Sequence, residues 1–125
     1  MNDKRLTTLP TDSLERKGYP IFSGCLRYFA AALAGVSRIS KIGNDKHNPG
    51  EALHHARSKS MDHGDCIIRH LVDVEDLLAA IERGNTEIQP KQVLDEVSQL
   101  VWRSLALSQE LHERFGAPMA PAAKP

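Results

Sequence analysis

One stretch of this chain, residues 43–76, concentrates the side chains that can do chemistry: GNDKHNPGEALHHARSKSMDHGDCIIRHLVDVED. Five of the six histidines lie in it, and Asp45, Glu51, Asp62, Asp65, Asp73, Glu75 and Asp76 are interleaved with Lys46, Arg57, Lys59 and Arg69. Carboxylates suit hard cations such as Mg²⁺. Lys and Arg suit phosphate, Arg by a two-pronged fork and Lys as a point charge. A stretch rich in both can hold a divalent metal and a phosphate chain side by side. The same composition also suits a solvated, charged surface, so spacing has to discriminate between the two.

The spacing predicts a helix over residues 61–83, with Ser60 as a candidate N-cap and Ile67, Leu71, Val74, Leu78 and Ile81 as its core stripe. At 100° per residue, with Asp62 at zero, Asp65 falls near ~300°, Arg69 near ~340°, Asp73 near ~20° and Asp76 near ~320°. These five share one stripe opposite the apolar one. Like charges at i,i+3 and i,i+4 repel by about 0.2–0.5 kcal/mol each, and a divalent cation would remove that cost. A second acidic set, Asp73-x-x-Asp76, is followed on the next helix by Asp95 and Glu96. Two antiparallel helices that each offer carboxylates can build a metal site between them. The faces alone leave both sets open as candidate ligands: Asp62 and Asp65 on the outer stripe, and Asp73 and Asp76 with Glu96 across the two helices.

The elements that must position these residues are all helical. Residues 1–20 read as an N-terminal arm, with Pro10, Gly18 and Pro20 and little periodicity. A first helix from about residue 23 carries Leu26, Phe29, Ala30, Leu33 and Val36 on one face, and Gly43-Asn44 should stop it. NDKHNPG at 44–50 is a turn-forming loop, and a short helix is expected over 51–59. Arg83-Gly84-Asn85 should end the preceding helix, and residues 86–90 link to a last helix over 91–115, with Val93, Val97, Leu100, Val101, Leu105 and Leu111 apolar and Trp102 beside them. The tail, residues 116–125, has Pro and Ala without a period and reads as disordered. No strand pattern is evident. The fold class is all-α, a bundle of three to four main helices over residues 21–115. Leu94, Val101 and Leu105 do not share one stripe with Val93, Val97, Leu100, Leu107 and Leu111, so a homodimer or homotetramer is expected to complete the core.

Bulk properties narrow the function classes. The 125 residues suit one domain. Lys plus Arg balance Asp plus Glu at 16 each, so no global basic field attracts nucleic acid or an anionic membrane. No run approaches the ~18 apolar residues of a membrane span. Cys25 and Cys66 form no CxxC, which disfavours a thiolate zinc site and suits reduced thiols in a cytoplasm. Metal phosphohydrolases that use a His-Asp dipeptide are set aside, because the chain has Asp62-His63 in the reverse order and no His-Asp.

Leu71-Val72-Asp73-Val74-Glu75-Asp76-Leu77, then Ala80-Ile81-Glu82-Arg83-Gly84-Asn85, resembles the first metal motif of the MazG-like all-α nucleoside triphosphate pyrophosphohydrolases, which carry ExxE on one helix and ExxD on the next. Here the second motif would be Glu96-x-x-Gln99, with Gln in place of a carboxylate. A longer set of runs is similar to the phage dATP/dGTP diphosphohydrolase (MazZ-like) branch: Tyr19-Pro20, Ser23-Gly24, Tyr28-Phe29, Gly43-Asn44, the KHNPGE run from Lys46 to Glu51, Lys59-Ser60, Asp62-His63, Asp65, Arg69-His70-Leu71 and Trp102-Arg103. These span roughly residues 15–112. The resemblance implies cleavage of a (deoxy)purine nucleoside triphosphate, such as dGTP or dATP, to the monophosphate and pyrophosphate, in a host cytoplasm if phage-encoded. It implies Mg²⁺ or Mn²⁺, with Co²⁺ as a further option, and Asp62, His63, Asp65 and Glu96 as catalytic. Lys41, Asn44, His47, Asn48, Arg57, Lys59, Arg69 and His70 would meet nucleotide or phosphate. The alternative expectation is a non-catalytic all-α phage protein that binds a partner through its apolar faces, kept open by Gln99 and by the shorter aspartates of Asp73-x-x-Asp76 in place of glutamates.

Overall fold

The computed structural model describes residues 6–56 and 61–124. Its elements are α1 (Ser13–Arg16), a π-helical turn (Phe22–Leu26), α2 (Ala30–His47), β1 (His55–Ala56), α3 (His63–Glu82), α4 (Pro90–Arg114) and β2 (Ala123–Lys124). The fold is all-α, and its frame is three long helices. α4 is central and packs against both α3 and α2.

Each boundary has a local cause. Pro90 opens α4 where a missing N–H costs nothing, and Gln89 and Gln92 reciprocate as a capping box. α3 ends at Arg83-Gly84-Asn85, with the Asn85 N–H donating to the Ala80 carbonyl at 3.0 Å. α2 runs past Gly43-Asn44, where the sequence predicts its end. Asn44 is buried, and its amide donates to the Glu51 carbonyl at 2.9 Å, so it pins the following loop instead of stopping the helix. Over 51–56 the chain forms bends and β1 rather than the expected short helix; residues 57–60, which include Arg57 and Lys59, lie outside the described residues.

The tail differs most from its composition. Gly116 sits at φ 126°, and the Ala117 N–H donates to the His112 carbonyl at 2.8 Å, which reverses the chain at the end of α4. Ala117 is buried, the buried Glu113 accepts from the Ala120 N–H at 3.0 Å, and β2 pairs parallel with β1. Close packing of α2 on α4 depends on Gly35: a Cβ there would lie 2.5 Å from the Ser98 hydroxyl oxygen.

Among the described residues the buried apolar core is small: Val36, Val74 and Ala117. Of the stripe expected to bury α3, Val74 is buried, whereas Leu71, Leu78 and Ile81 are exposed. The side turned to α4 instead carries His63, Cys66, Ile67, His70, Val74 and Leu77. Leu26 and Phe29, expected in the first helix's core face, are exposed too, because the π turn and the break at 27–29 detach them from α2.

Candidate functional site

The polar residues at the seam between α3 and α4 form a ladder. On α3, His63 and His70 are seven residues apart; on α4, Glu96, Arg103 and Glu110 repeat at the same interval. Seven residues are close to two helical turns, so each set lines one side of its helix. The helices are antiparallel, and the sets meet. His70 Nδ1 donates to Glu96 Oε1 at 2.6 Å. His63 Nε2 is hydrogen-bonded to Glu110, and Arg103 Nη1 approaches His63 Nδ1 at 3.4 Å. His63, His70, Glu96 and Glu110 are largely enclosed, with side chains between 14% and 27% exposed.

A cleft of about 350 Å³ opens on one side of this seam. Its walls are the C-terminal half of α2 (Ser40, Asn44, His47), the loop with Asn48, His54 and His55, and Gln99, Trp102 and Arg103 of α4; His70 reaches it from α3. Trp102 is fixed there by donation from its indole N–H to the Ser40 hydroxyl at 2.7 Å and by the His55 ring edge at 5.1 Å. A second, more apolar cleft of about 240 Å³ continues along α4 past His63 and Glu110, and shares Ser40, His55, Trp102 and Arg103 with the first.

Further along the seam, Asp73, Asp76, Asp95 and Glu96 line a shallow groove of about 440 Å³. Ligand atoms of His70, Asp73 and Glu96 lie within 4.8 Å of one another. The His70–Glu96 bond thus joins the carboxylate groove to the cleft. The Glu96 carboxylate that engages Nδ1 fixes the orientation of the His70 ring. One imidazole and two carboxylates suit Mn²⁺ or Co²⁺ better than an all-oxygen Mg²⁺ site.

The residues predicted as ligands divide into two groups. Asp73, Asp76 and Glu96 are brought together, with His70 as an additional donor. Asp62 and Asp65 are exposed near the start of α3. Eight residues separate Asp65 from Asp73, about 12 Å of helix, so the two cannot share one ion. Asp62 pairs with Arg69 at 3.1 Å; that hydrogen bond holds the Asp62 carboxyl below its ordinary value of 3.8 and raises the guanidinium of Arg69. Arg69 therefore faces Asp62, away from the residues that line the clefts. Lys41 is likewise paired, with Asp45 at 2.8 Å on the exposed side of α2. Of the other predicted nucleotide contacts, Asn44, His47, Asn48 and His70 line the cleft.

Sequence reasoning passed over Gln99, Arg103, Glu110, His54 and His55 as site residues, and it placed Trp102 only beside the apolar face of the last helix. The signal was present in the seven-residue repeat of charged groups on a helix whose partner repeats histidine at the same interval.

Comparison with known proteins finds no correspondence: no family model, no curated protein and no solved structure matches the chain.

Proposed function

We propose that this chain is a metal-dependent nucleotide pyrophosphohydrolase that takes a (deoxy)purine nucleoside triphosphate to the monophosphate and pyrophosphate. The observation that carries the reading is the convergence of His70, Asp73 and Glu96 across two antiparallel helices, beside a cleft that Arg103 also lines. The similarity of the Asp73-x-x-Asp76 and KHNPGE runs to MazG-like enzymes points the same way. A divalent cation held by these three donors would neutralise phosphate charge and lower the pKa of an attacking water. The protein's own share is positional. Glu96 orients His70; Arg103 presents a guanidinium to phosphate oxygens; Trp102 and His55 offer ring faces and edges to a base; Asn48 and Gln99 offer amides that can both donate and accept. The cleft volume lies at the lower end of the range for small-molecule sites, about 300–1,000 Å³. Screening nucleoside triphosphates with Mn²⁺, Co²⁺ and Mg²⁺, and scoring mono- against diphosphate, tests the reading. Monophosphate with equimolar pyrophosphate is expected, fastest with Mn²⁺ or Co²⁺.

We also propose that the chain works as a homo-oligomer. Ile68, Leu71, Val72 and Leu78 form an exposed apolar sector on α3; Leu94 and Leu105 do so on α4; and the arm exposes Tyr19, Ile21, Phe22, Tyr28 and Phe29. A chain with this small a core gains by burying such surface at about 25 cal/mol per Å². Light scattering at micromolar concentration is expected to give at least a dimer, and a monomer would overturn the reading. A non-catalytic interaction protein accounts for the same apolar surface, but not for the enclosed His–carboxylate ladder.

A further inference from the structure

We propose that Arg103 is the anion-binding residue of the cleft, and that its engagement with phosphate oxygens releases Nδ1 of His63 as a proton acceptor. The inference deepens the nucleotide reading and rests on it for the class of anion, a condensed phosphate. Arg103 stands where the two clefts meet and lines both. Its guanidinium carbon lies 5.8 Å from the Trp102 ring centroid, within cation–π range. Among the described residues Arg38, Lys41, Arg69 and Lys91 each have a carboxylate partner. Arg103 makes no ion pair with a carboxylate there; Asp62, which Arg69 holds, feels the Arg103 charge, and the hydrogen-bond contact of Arg103 is the 3.4 Å approach to His63.

That contact determines a tautomer. An arginine donates and never accepts, so the nitrogen facing it, Nδ1, presents its lone pair. An ionised carboxylate accepts, so the nitrogen facing Glu110, Nε2, carries the proton. His63 is thus a glutamate-oriented imidazole whose basic nitrogen is covered by the arginine of the cleft. A long bond to a ring nitrogen is a weak hold on a guanidinium. A phosphate offers two oxygens in a charge-assisted, two-pronged geometry and is the stronger partner. When a pyrophosphate moiety enters, Arg103 exchanges an imidazole for an oxyanion and Nδ1 is exposed toward the same space. Glu110 and Glu96 are engaged by His63 and His70, and Asp62 by Arg69, which leaves the guanidinium to the anion.

Two measurements on the metal-free chain test this. Inorganic pyrophosphate titrated calorimetrically should bind the parent, about tenfold or more weaker to Arg103→Gln, with Arg103→Lys between them, as expected for loss of charged hydrogen bonds. Nitrogen-15 NMR of the His63 ring should show Nε2 protonated and Nδ1 bare, with Nδ1 shifting on addition of pyrophosphate in the parent and not in Arg103→Gln; the exposed His112 should not respond. Equal pyrophosphate affinity in parent and Arg103→Gln, or a His63 proton on Nδ1, would overturn the proposal. Failure of the nucleotide reading looks different: pyrophosphate would bind through Arg103 while no nucleoside triphosphate is turned over.

Discussion

Glu96→Gln is the substitution that most cleanly separates a metal ligand from a structural carboxylate. Glutamine keeps the shape and one carbonyl acceptor, so the hydrogen bond from His70 Nδ1 can persist in neutral form. Charged hydrogen bonds contribute about 1.5–3 kcal/mol and neutral ones about 0.5–1.5. Both side chains are about one-fifth exposed, which trims the difference, and relief of repulsion from Asp73, within 4.8 Å, offsets a few tenths more. In EDTA the variant should therefore lie within about 1 kcal/mol of the parent, roughly 4 °C for a chain of this length at about 2.1 cal/mol/K per residue. With Mn²⁺ the two should part. At one hundred times its Kd, a ligand of the folded state adds about 2.7 kcal/mol, roughly 10 °C. If losing the carboxylate weakens binding about 100-fold, the same concentration adds only about 0.4 kcal/mol, or 1–2 °C. Differential scanning calorimetry of both proteins in EDTA and in Mn²⁺ is the assay. Equal upward shifts in parent and variant would show that Glu96 holds no metal, and the reasoning from the His70–Asp73–Glu96 convergence would fail.

Three further outcomes follow from the same geometry. Asp73→Asn should lower metal-dependent triphosphate cleavage by at least about a hundredfold, whereas exposed Asp65→Asn should leave both rate and stability within about 0.5 kcal/mol of the parent; steady-state kinetics on the pair will show whether the groove or the outer stripe matters. Gly35→Ala should destabilise by about 1 kcal/mol in urea unfolding, because its Cβ would meet the Ser98 hydroxyl at 2.5 Å, and Gly35→Ala with Ser98→Ala should recover the loss, since the remaining Cβ contact is 3.6 Å. The Asp62–Arg69 pair gives a small stabilisation that is present above the ordinary carboxyl value of 3.8 and lost as pH falls through the lower native value; melting curves of Asp62→Asn and parent should converge at acid pH and at high salt.

The helices were legible because long amphipathic periods and strong end signals coincide. Arg83-Gly84-Asn85 and Pro90 place the ends of α3 and the start of α4 within two residues of expectation. Which face turns inward was not legible. Leu71 and Leu78 look like core on a helical wheel, yet they are exposed, and the enclosed seam contains His63 and His70. An apolar stripe reports that a surface seeks a partner, and not whether the partner lies in the same chain. The pairing of Asp73 with Glu96 was readable because carboxylates on two antiparallel neighbouring helices can converge at their seam. Arg103 and Glu110 were passed over because each alone is an ordinary charge on a helix, and only their seven-residue interval with Glu96, set against His63 and His70, reveals the ladder. The tail escaped because composition has no term for a single positive-φ glycine followed by a buried acceptor, Glu113, that ties Ala120 down.

Phosphorus-31 NMR of dGTP incubated with the chain and Mn²⁺, beside the Asp73→Asn chain prepared identically, tests the central claim most directly. The parent should convert the three triphosphate resonances to one monophosphate signal and one pyrophosphate signal of twice its intensity, while the variant leaves the substrate intact over the same time. Diphosphate with inorganic phosphate as products, or equal conversion by parent and variant, would contradict it.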